Sequence, residues 1–197
     1  MTEDSFSILP YVVARSFDDD FDDIQDHFMD WMENYAKVYQ PNHRSNVDGY
    51  QSPDDFYLEK SFTPLLNYLS DRITSLLEVY YKNELVEVHF QPRLANMWFN
   101  INYTDCYNVR HTHPGSSIAG VLYINVPDKS GGITFHHLDE HNLSLTQQTC
   151  FSVEPDDGLM ILFPASLSHG VDRNLSDGKD PRMSIAFNLY EYYHEDN

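Results

Sequence analysis

The sequence has 197 residues, which is long enough for one domain with a sizeable core and too short for two ordinary domains. We therefore expect residues 1–197 to form a single domain. The net charge of −19 disfavours direct nucleic-acid binding, because an acidic surface repels phosphate backbones, and we expect it mainly to maintain solubility.

Three features bear on the compartment. No apolar run approaches the roughly 20 residues that a membrane helix needs. Met1 is followed by the polar or acidic residues Thr2, Glu3 and Asp4, unlike the start of a secretory signal peptide. Two cysteines are too few for a disulfide framework, so we expect Cys106 and Cys150 to be buried thiols in a reducing compartment. These features predict a cytoplasmic protein without a membrane partner, and they leave the oligomeric state open.

The N-terminal part predicts a strand followed by a helix. Phe6–Ser16 is rich in strand-forming residues, and Ser16 can cap the helix that follows. Asp18–Asp20 would then lie in the first helical turn, where the helix dipole favours negative charge. The apolar residues recur at helical steps of three and four, which predicts one buried face. They are Phe17, Phe21, Ile24, Phe28, Trp31, Met32 and Tyr35.

A loop and a second helix come next. Residues 40–62 hold prolines, a glycine and few apolar positions, which is typical of a loop or a poorly ordered excursion. Thr63 then provides a cap and Pro64 the first helical residue. One face of this helix is apolar, and two such helices beside a sheet predict a layer packed on its outside. The apolar residues are Leu65, Leu66, Leu69, Ile73, Leu76, Leu77 and Tyr80.

From about residue 95 onward the sequence predicts mostly β-structure. Short runs of β-branched and aromatic residues alternate with clusters of turn residues, as in a β-sandwich or a closed barrel. We therefore divide the domain into helical support over 1–94 and a β-core over 95–193. The predicted strands are Leu94–Tyr103, Ser117–Val126, Gly132–His136, Thr149–Val153, Gly158–Phe163 and Met183–Tyr193.

His111 and His113 are the first residues that indicate chemistry. On an extended segment, residues i and i+2 point to the same side, so both imidazoles can reach one metal ion. Imidazole binds iron, zinc, copper and nickel well. Alone, this pair is a weak signal, because a chain with ten histidines produces such pairs by chance.

Two further stretches add to this pair. His169 follows an apolar strand and a turn, and Arg182 and Ser184 share one side of the last strand. An arginine that points into a barrel needs an anion, because an unpaired buried guanidinium is very costly. A serine beside it can donate to the same carboxylate. Pairing of Arg182 with one of the many acids of this chain is the alternative.

Six motifs follow one another in the part of the chain that contains these residues. They are Asn-Val-Arg-His-Thr-His-Pro, Ile-Ala-Gly-Val-Leu-Tyr-Ile-Asn, Ser-Gly-Gly-Ile-Thr-Phe, Gly-Leu-Met-Ile-Leu-Phe-Pro, Ser-His-Gly-Val and Arg-Met-Ser-Ile-Ala-Phe-Asn. Their order and spacing resemble those of the 2-oxoglutarate and iron(II)-dependent oxygenases, and within them the prolyl-hydroxylase-like branch and small bacterial and phage members. The resemblance covers roughly residues 95–193, and the motifs are specific as a set.

This resemblance implies a double-stranded β-helix, a jelly-roll barrel similar to that of the cupins, that binds Fe(II), 2-oxoglutarate and O2. It implies that His111 is the first iron ligand and His169 the distal one. It also implies that Arg182, assisted by Ser184, holds the far carboxylate of 2-oxoglutarate. Three further residues are candidates for binding this cosubstrate: Tyr123, Tyr103 and Asn100. The implied reaction hydroxylates a substrate and releases succinate and carbon dioxide.

His113 stands where the family usually has a carboxylate. Three arrangements stay open: His113 completes a three-histidine site, an acid from elsewhere completes it, or His113 is not a ligand. We take His113 as the third metal ligand because its spacing fits, and His136 and His137 could also intrude.

Two other functions compete with this interpretation. One is a three-histidine, cupin-like dioxygenase that needs no 2-oxoglutarate, and His113 favours it. The other is a non-catalytic β-barrel module in which the histidines only pack. The substrate, whether a small molecule or a peptide, is not specified by the sequence, since one fold serves many substrates.

Overall fold

The computed structural model describes residues 2–8, 11–42, 44–83, 90–136 and 150–193. Within them the chain forms twelve strands in two antiparallel sheets, two α-helices and two short 3-10 helices. The strands are β1 Thr2–Ile8, β2 Tyr11–Phe17, β3 Asn46–Val47, β4 Tyr50–Gln51, β5 Phe90–Asn102, β6 Tyr107–His111, β7 Ile118–Asn125, β8 Ile133–His136, β9 Cys150–Val153, β10 Met160–Pro164, β11 Ser168–Val171 and β12 Arg182–Tyr193. The helices are α1 Asp22–Ala36 and α2 Thr63–Asn83.

The two sheets form the predicted double-stranded β-helix. The larger sheet has the order β1-β2-β10-β7-β12-β5-β4, and the smaller has the order β3-β6-β11-β8-β9. The long strand β12 pairs with β5 along its whole length and with β7 over its first half, so it lies near the centre of the larger sheet. The fold class predicted from the sequence is confirmed.

Two apolar clusters hold this arrangement together. One lies between the larger sheet and the two helices, and it contains the buried faces of both helices, including Phe28 and Leu69. The other contains residues of both sheets, including Tyr123, Phe135 and Phe163. Because side chains alternate along a strand, β7 supplies Leu122 to the first cluster and Tyr123 to the second. The helices therefore pack against one face of the larger sheet.

The N-terminal prediction needs correction. Two strands, β1 and β2, pair antiparallel where a single strand over Phe6–Ser16 was predicted. Ser16 is not a helix cap but a buried residue of β2, since β2 also pairs with β10. The helix begins at Asp22, so Asp22 and Asp23 occupy its first turn in place of Asp18–Asp20.

The segment 40–62 is more structured than predicted. It contains β3, β4 and the 3-10 helices Phe56–Leu58 and Lys60–Phe62. Phe56 and Phe62 are buried in the first cluster, and their rings lie 4.9 Å apart. Packing of these aromatic rings fixes a segment whose composition indicates a loop.

Several other predictions can be compared with the described residues. The predicted helix at Thr63 and all six predicted strands are present, whereas β6 and β11 were not predicted as strands. Cys106 is buried as expected, but Cys150 is exposed at the start of β9. Neither described helix combines the length and apolar character that crossing a bilayer requires. The division into helical support and β-core stays a prediction.

Candidate active site

A row of side chains along β5 and β12 faces the space between the sheets. Because directly paired residues share a face of the sheet and every second residue returns to it, the row follows from the register. It includes Arg182, Ser184, Ala186 and Asn188 of β12, opposite Asn102, Asn100, Trp98 and Asn96 of β5. Much of this row lines a cavity that also contains the candidate histidines, which we call the inner cavity.

The three predicted histidines come together at this cavity. His111 ends β6 and is paired with His169 of β11, while His113 lies two residues beyond β6. One ligand nitrogen from each of the three lies within 4.8 Å of the others. The Nε2 atoms of His113 and His169 are 3.2 Å apart. Such convergence of three imidazoles matches the donor set of a transition-metal site.

Hydrogen bonds and burial prepare these imidazoles to donate electron pairs. The Nδ1 atoms of His111 and His169 lie 2.7 Å from the Val109 carbonyl oxygen and 2.8 Å from that of Leu167. A carbonyl accepts only from N–H, so in both rings the proton sits on Nδ1 and the Nε2 lone pair is free. Burial lowers the pKa of His169 to about 3 and that of His113 to about 4, and it also lowers the pKa of His111. All three are neutral at pH 7.

Aromatic rings surround the histidines. The Phe163 ring lies 4.7 Å from the His169 ring, and the Phe135 ring lies 6.1 Å from it. On another side, the Trp98 indole is 5.6 Å from the His113 ring. These rings limit the access of water to the histidine cluster, which strengthens electrostatic interactions there.

Arg182 lies at the other end of the inner cavity and is only 2% exposed. Its Nη1 group donates to the carbonyl oxygens of Ser130, Gly131 and Asp172. Gly131 has a φ of +81°, a conformation that suits glycine and lets the turn present two successive carbonyls. Nη2 donates to Asn102 Oδ1 at 2.9 Å when the amide is oriented to fit its neighbours.

No carboxylate in the described part of the chain lies within ion-pair distance of Arg182, although pairing with an acid was the alternative. Its partners are neutral, so they satisfy hydrogen bonds without balancing the charge. Burial accordingly lowers the pKa of the Arg182 guanidinium. A buried cation of this kind provides a site for an anion.

The other predicted cosubstrate residues divide into two groups. Tyr123, Ser184 and Asn100 line the inner cavity with Arg182. The Tyr123 hydroxyl is buried and has no hydrogen-bond partner among the described residues, and burial raises its pKa to about 12. Tyr103 is different, because it follows the end of β5, is 51% exposed and does not line the cavity. The structure therefore does not bring Tyr103 to the cavity with the other candidates, and its role in binding the cosubstrate stays a prediction.

The alternatives for the third metal ligand can be compared with the geometry. No aspartate or glutamate of the described residues joins the histidine cluster. His136 pairs with Ser168 at the edge of the cluster and is not a member of it, while His137 lies outside the described residues. His113 thus lies with His111 and His169 in one cluster, and the assignment of these three as ligands stays a prediction.

Comparison with protein families identifies the β-core. Residues 96–188 match the family described as "Putative 2OG-Fe(II) oxygenase", and this range contains all three histidines and Arg182. This β-core belongs to the 2-oxoglutarate and Fe(II)-dependent oxygenase superfamily. Its members are dioxygenases that use Fe(II), 2-oxoglutarate and O2. A search of curated proteins found no match to this oxygenase.

Solved structures show the same fold. A prolyl-4-hydroxylase of Pseudomonas putida is 14% identical with a TM-score of 0.59, over 90% of this chain and 92% of that one. A prolyl hydroxylase of Trichoplax adhaerens, in complex with a hypoxia inducible factor peptide fragment, is 11% identical with a TM-score of 0.66, over 91% and 83%. HygX of Streptomyces hygroscopicus, with nickel, 2-oxoglutarate and hygromycin B bound, is 16% identical with a TM-score of 0.62, over 91% and 82%. The fold is thus that of the prolyl-hydroxylase-like branch.

A second cavity of this oxygenase was missed by the sequence analysis. It opens beside the histidines, has a volume of about 380 Å³, and shares Ser45, Trp98, His111 and His113 with the inner cavity. We call it the outer chamber. The rest of its described lining is mostly polar and comprises Arg44, Gln51, Asn96, Val109, Thr112, Pro114, Ser116 and Asn188. The alternation of side chains along β5 could have shown that Asn96 and Trp98 lie on the same face of the strand. It could not have shown that this face lines a cavity.

Proposed function

We propose that the protein hydroxylates a C–H bond of an organic substrate, with Fe(II) held by His111, His113 and His169 and with 2-oxoglutarate anchored by Arg182. One observation carries the proposal: three neutral imidazoles line the same cavity as a buried arginine that has no carboxylate partner among the described residues. The metal needs unprotonated nitrogen donors, and the dicarboxylate needs a fixed cation.

The histidines fit the metal in chemistry as well as in position. Their Nδ1–H groups are engaged by backbone carbonyls in two of the three rings, which fixes the ring orientation. Fe(II) held by these three histidines would keep coordination positions free for the cosubstrate and oxygen. Without a carboxylate ligand, the metal site has one more unit of positive charge than the usual set of two histidines and one acid.

The opposite end of the cavity fits the far carboxylate of 2-oxoglutarate. Arg182 supplies the charge, and in the described part of the chain its Nη2 group has only one side-chain partner, the neutral amide of Asn102. Tyr123 adds a buried hydroxyl without a partner among the described residues, and Ser184 adds a second hydroxyl beside it. Asn100 completes this polar wall, and its Oδ1 atom accepts from Asn46 Nδ2 at 3.0 Å. A carboxylate bound here would gain charge-assisted hydrogen bonds.

Bound Fe(II) with 2-oxoglutarate supplies the oxygen chemistry: one atom of O2 enters the substrate C–H bond as a hydroxyl and the other enters succinate, while carbon dioxide leaves. The protein contributes orientation and exclusion of water. Arg182 fixes the direction of the keto acid, and Phe135, Phe163 and Trp98 shield the histidines.

An anaerobic titration tests this function. Fe(II) is added to the protein without oxygen, followed by 2-oxoglutarate, and a visible metal-to-ligand charge-transfer band is expected. Oxygen is then admitted and succinate is measured. Binding of Fe(II) without any band or succinate would contradict the use of 2-oxoglutarate, and failure to bind Fe(II) would contradict the metal site.

The same titration addresses the competing three-histidine dioxygenase. The presence of His113 in the cluster favours that function, because a metal site made of three histidines has no carboxylate ligand. Such an enzyme would bind Fe(II) but would not respond to 2-oxoglutarate. The buried charge of Arg182 then has no role, which is why the 2-oxoglutarate-dependent function is preferred.

A further inference from the structure

The outer chamber contains two buried amide oxygens without partners in the described part of the protein. Gln51 is 3% exposed and Asn188 is 5% exposed, and both line the chamber. Neither Gln51 Oε1 nor Asn188 Oδ1 accepts a hydrogen bond from a described residue, whereas Asn188 Nδ2 donates to Asn96 Oδ1 at 2.8 Å. A buried acceptor without a donor destabilises a fold, so two of them beside one cavity indicate a ligand that supplies the donors.

The two amides lie on opposite sides of Trp98. Gln51 of β4 pairs with Asn100 of β5, and Asn188 of β12 pairs with Asn96 of β5. Trp98 lies midway between Asn96 and Asn100 on the same face of β5, and its indole contacts the His113 ring. A ligand that lies along the indole therefore has an acceptor towards each end and the histidine cluster at its side.

The charges of the side chains that line the chamber indicate whether this ligand is charged or neutral. Arg44 is the one permanently charged side chain of the described lining, and it is already paired with Asp54 at 2.9 Å. The described lining contains no carboxylate, so an ammonium group would be desolvated without a counter-charge. Neutral O–H or N–H groups can donate hydrogen bonds to both amide oxygens, and their desolvation costs less than that of an ammonium group.

We propose that the outer chamber is the substrate subsite and binds a neutral molecule that donates hydroxyl or amide hydrogen bonds to Gln51 Oε1 and Asn188 Oδ1. Gln51 and Asn188 are then specificity-determining residues. The proposal rests on the proposed function, because it takes the adjacent histidine cluster as the oxidising centre. A polyol and a peptide share this donor chemistry, and the experiment distinguishes them.

The first test needs no ligand. Gln51→Met removes the acceptor and keeps the length of the side chain, so the ligand-free protein should melt about 2–4 °C higher. Gln40→Met is the matched control, because it makes the same substitution at an exposed position outside the helices and should leave Tm unchanged. A fall in Tm for Gln51→Met would show that Gln51 Oε1 contributes to the fold, and it would overturn the proposal.

The second test measures binding by ligand-detected NMR to protein loaded with Zn(II) and 2-oxoglutarate, a redox-inert state. One pair of probes is methyl α-D-glucopyranoside and its tetra-O-methyl ether. The other pair is N-acetylprolinamide and its N,N-dimethylamide. The donor-bearing member of one pair should bind, and its methylated partner should not. Kd should rise at least tenfold in Gln51→Met and in Asn188→Leu but not in Gln40→Met.

The outcomes separate this proposal from the proposed function. If neither donor-bearing probe binds, if the methylated probes bind equally well, or if the chamber variants bind like the wild type, the subsite proposal is wrong. The charge-transfer band with Fe(II) and 2-oxoglutarate should persist in Gln51→Met and Asn188→Leu. Loss of that band in the wild type would instead contradict the proposed function.

Discussion

The Nε2 atoms of His113 and His169 lie 3.2 Å apart, and burial keeps both imidazoles neutral at pH 7. Two lone pairs at this separation repel each other unless a proton or a cation lies between them. A metal ion bound by both rings removes that repulsion. The short distance between the two Nε2 atoms therefore supports His113 as a metal ligand, a role that the sequence left open.

His113→Ala should weaken Fe(II) binding by at least about tenfold, because it removes one of three ligand nitrogens. His113→Asp should retain binding, since it restores the family's usual carboxylate. The measurement is an anaerobic Fe(II) titration, with a Co(II) absorption spectrum to report the change of ligand. Thr112→Ala, at the exposed residue between the two histidines, is the control. Wild-type affinity in His113→Ala would exclude His113 from the ligand set.

Arg182→Leu should raise the Kd for 2-oxoglutarate by about 10- to 150-fold, the value of a lost charge-assisted interaction of about 1.5–3 kcal/mol. Arg182→Lys should recover part of this loss, because lysine keeps the charge but not the forked geometry. Isothermal titration of 2-oxoglutarate into the Zn(II)-loaded protein measures the effect. Unchanged Zn(II) affinity shows that the fold persists, and unchanged 2-oxoglutarate affinity in Arg182→Leu would refute the cosubstrate assignment.

Tyr123→Phe removes a single buried hydroxyl that lacks a partner among the described residues. We expect the Kd for 2-oxoglutarate to rise about two- to tenfold, as for a lost hydrogen bond of about 0.5–1.5 kcal/mol, with no loss of stability in the free protein. Tyr103→Phe is a matched control, because Tyr103 is exposed and outside the cavity. Equal effects of the two substitutions would show that the Tyr123 hydroxyl does not contact the cosubstrate.

The strands that carry the site were predictable to different degrees. The long apolar run of β7 and the alternating run of β12 have strong β-propensity of their own, and both were predicted. The strands that position the histidines, β6 and β11, are short and contain polar residues or glycine, such as Asn108 and Gly170. Their extended conformation comes from pairing with each other, which local sequence does not specify.

The outer chamber could not be predicted for a related reason. In β5, Asn96, Trp98 and Asn100 alternate with the purely apolar residues Met97, Phe99 and Ile101. The sequence therefore shows that β5 has one apolar face and one face with polar groups. The apolar face is predicted to pack in a core, and in the structure it packs against the helices. Whether the polar face meets solvent or a cavity depends on the smaller sheet and on Gln51 of β4, which are distant in sequence.

A hydrogen-bonded chain far from the site provides a test of the fold itself. The Tyr68 hydroxyl donates to Asp18 Oδ2 at 2.6 Å, and Arg72 donates to the Tyr68 hydroxyl at 3.2 Å. Arg72 is buried and also donates to the Gly158 carbonyl at 2.8 Å, so the chain connects α2 to the turn before β10. Burial alone would raise the pKa of Asp18, but the hydrogen bond from Tyr68 and the charge of Arg72 bring it below 3.8.

Asp18→Asn should lower the free energy of unfolding by about 1 kcal/mol at pH 7, near the lower limit for a charged hydrogen bond because Asp18 is partly exposed. Since the pKa of Asp18 is lower in the folded protein, its contribution is complete above 3.8 and is lost as the pH falls through the folded value. Urea unfolding between pH 7 and pH 3 should therefore show the variant and the wild type converging at the acid end. Asp26→Asn, at an exposed position on α1, should show no such convergence. A difference between Asp18→Asn and the wild type that does not change with pH would mean that Asp18 acts through packing and not through its charge.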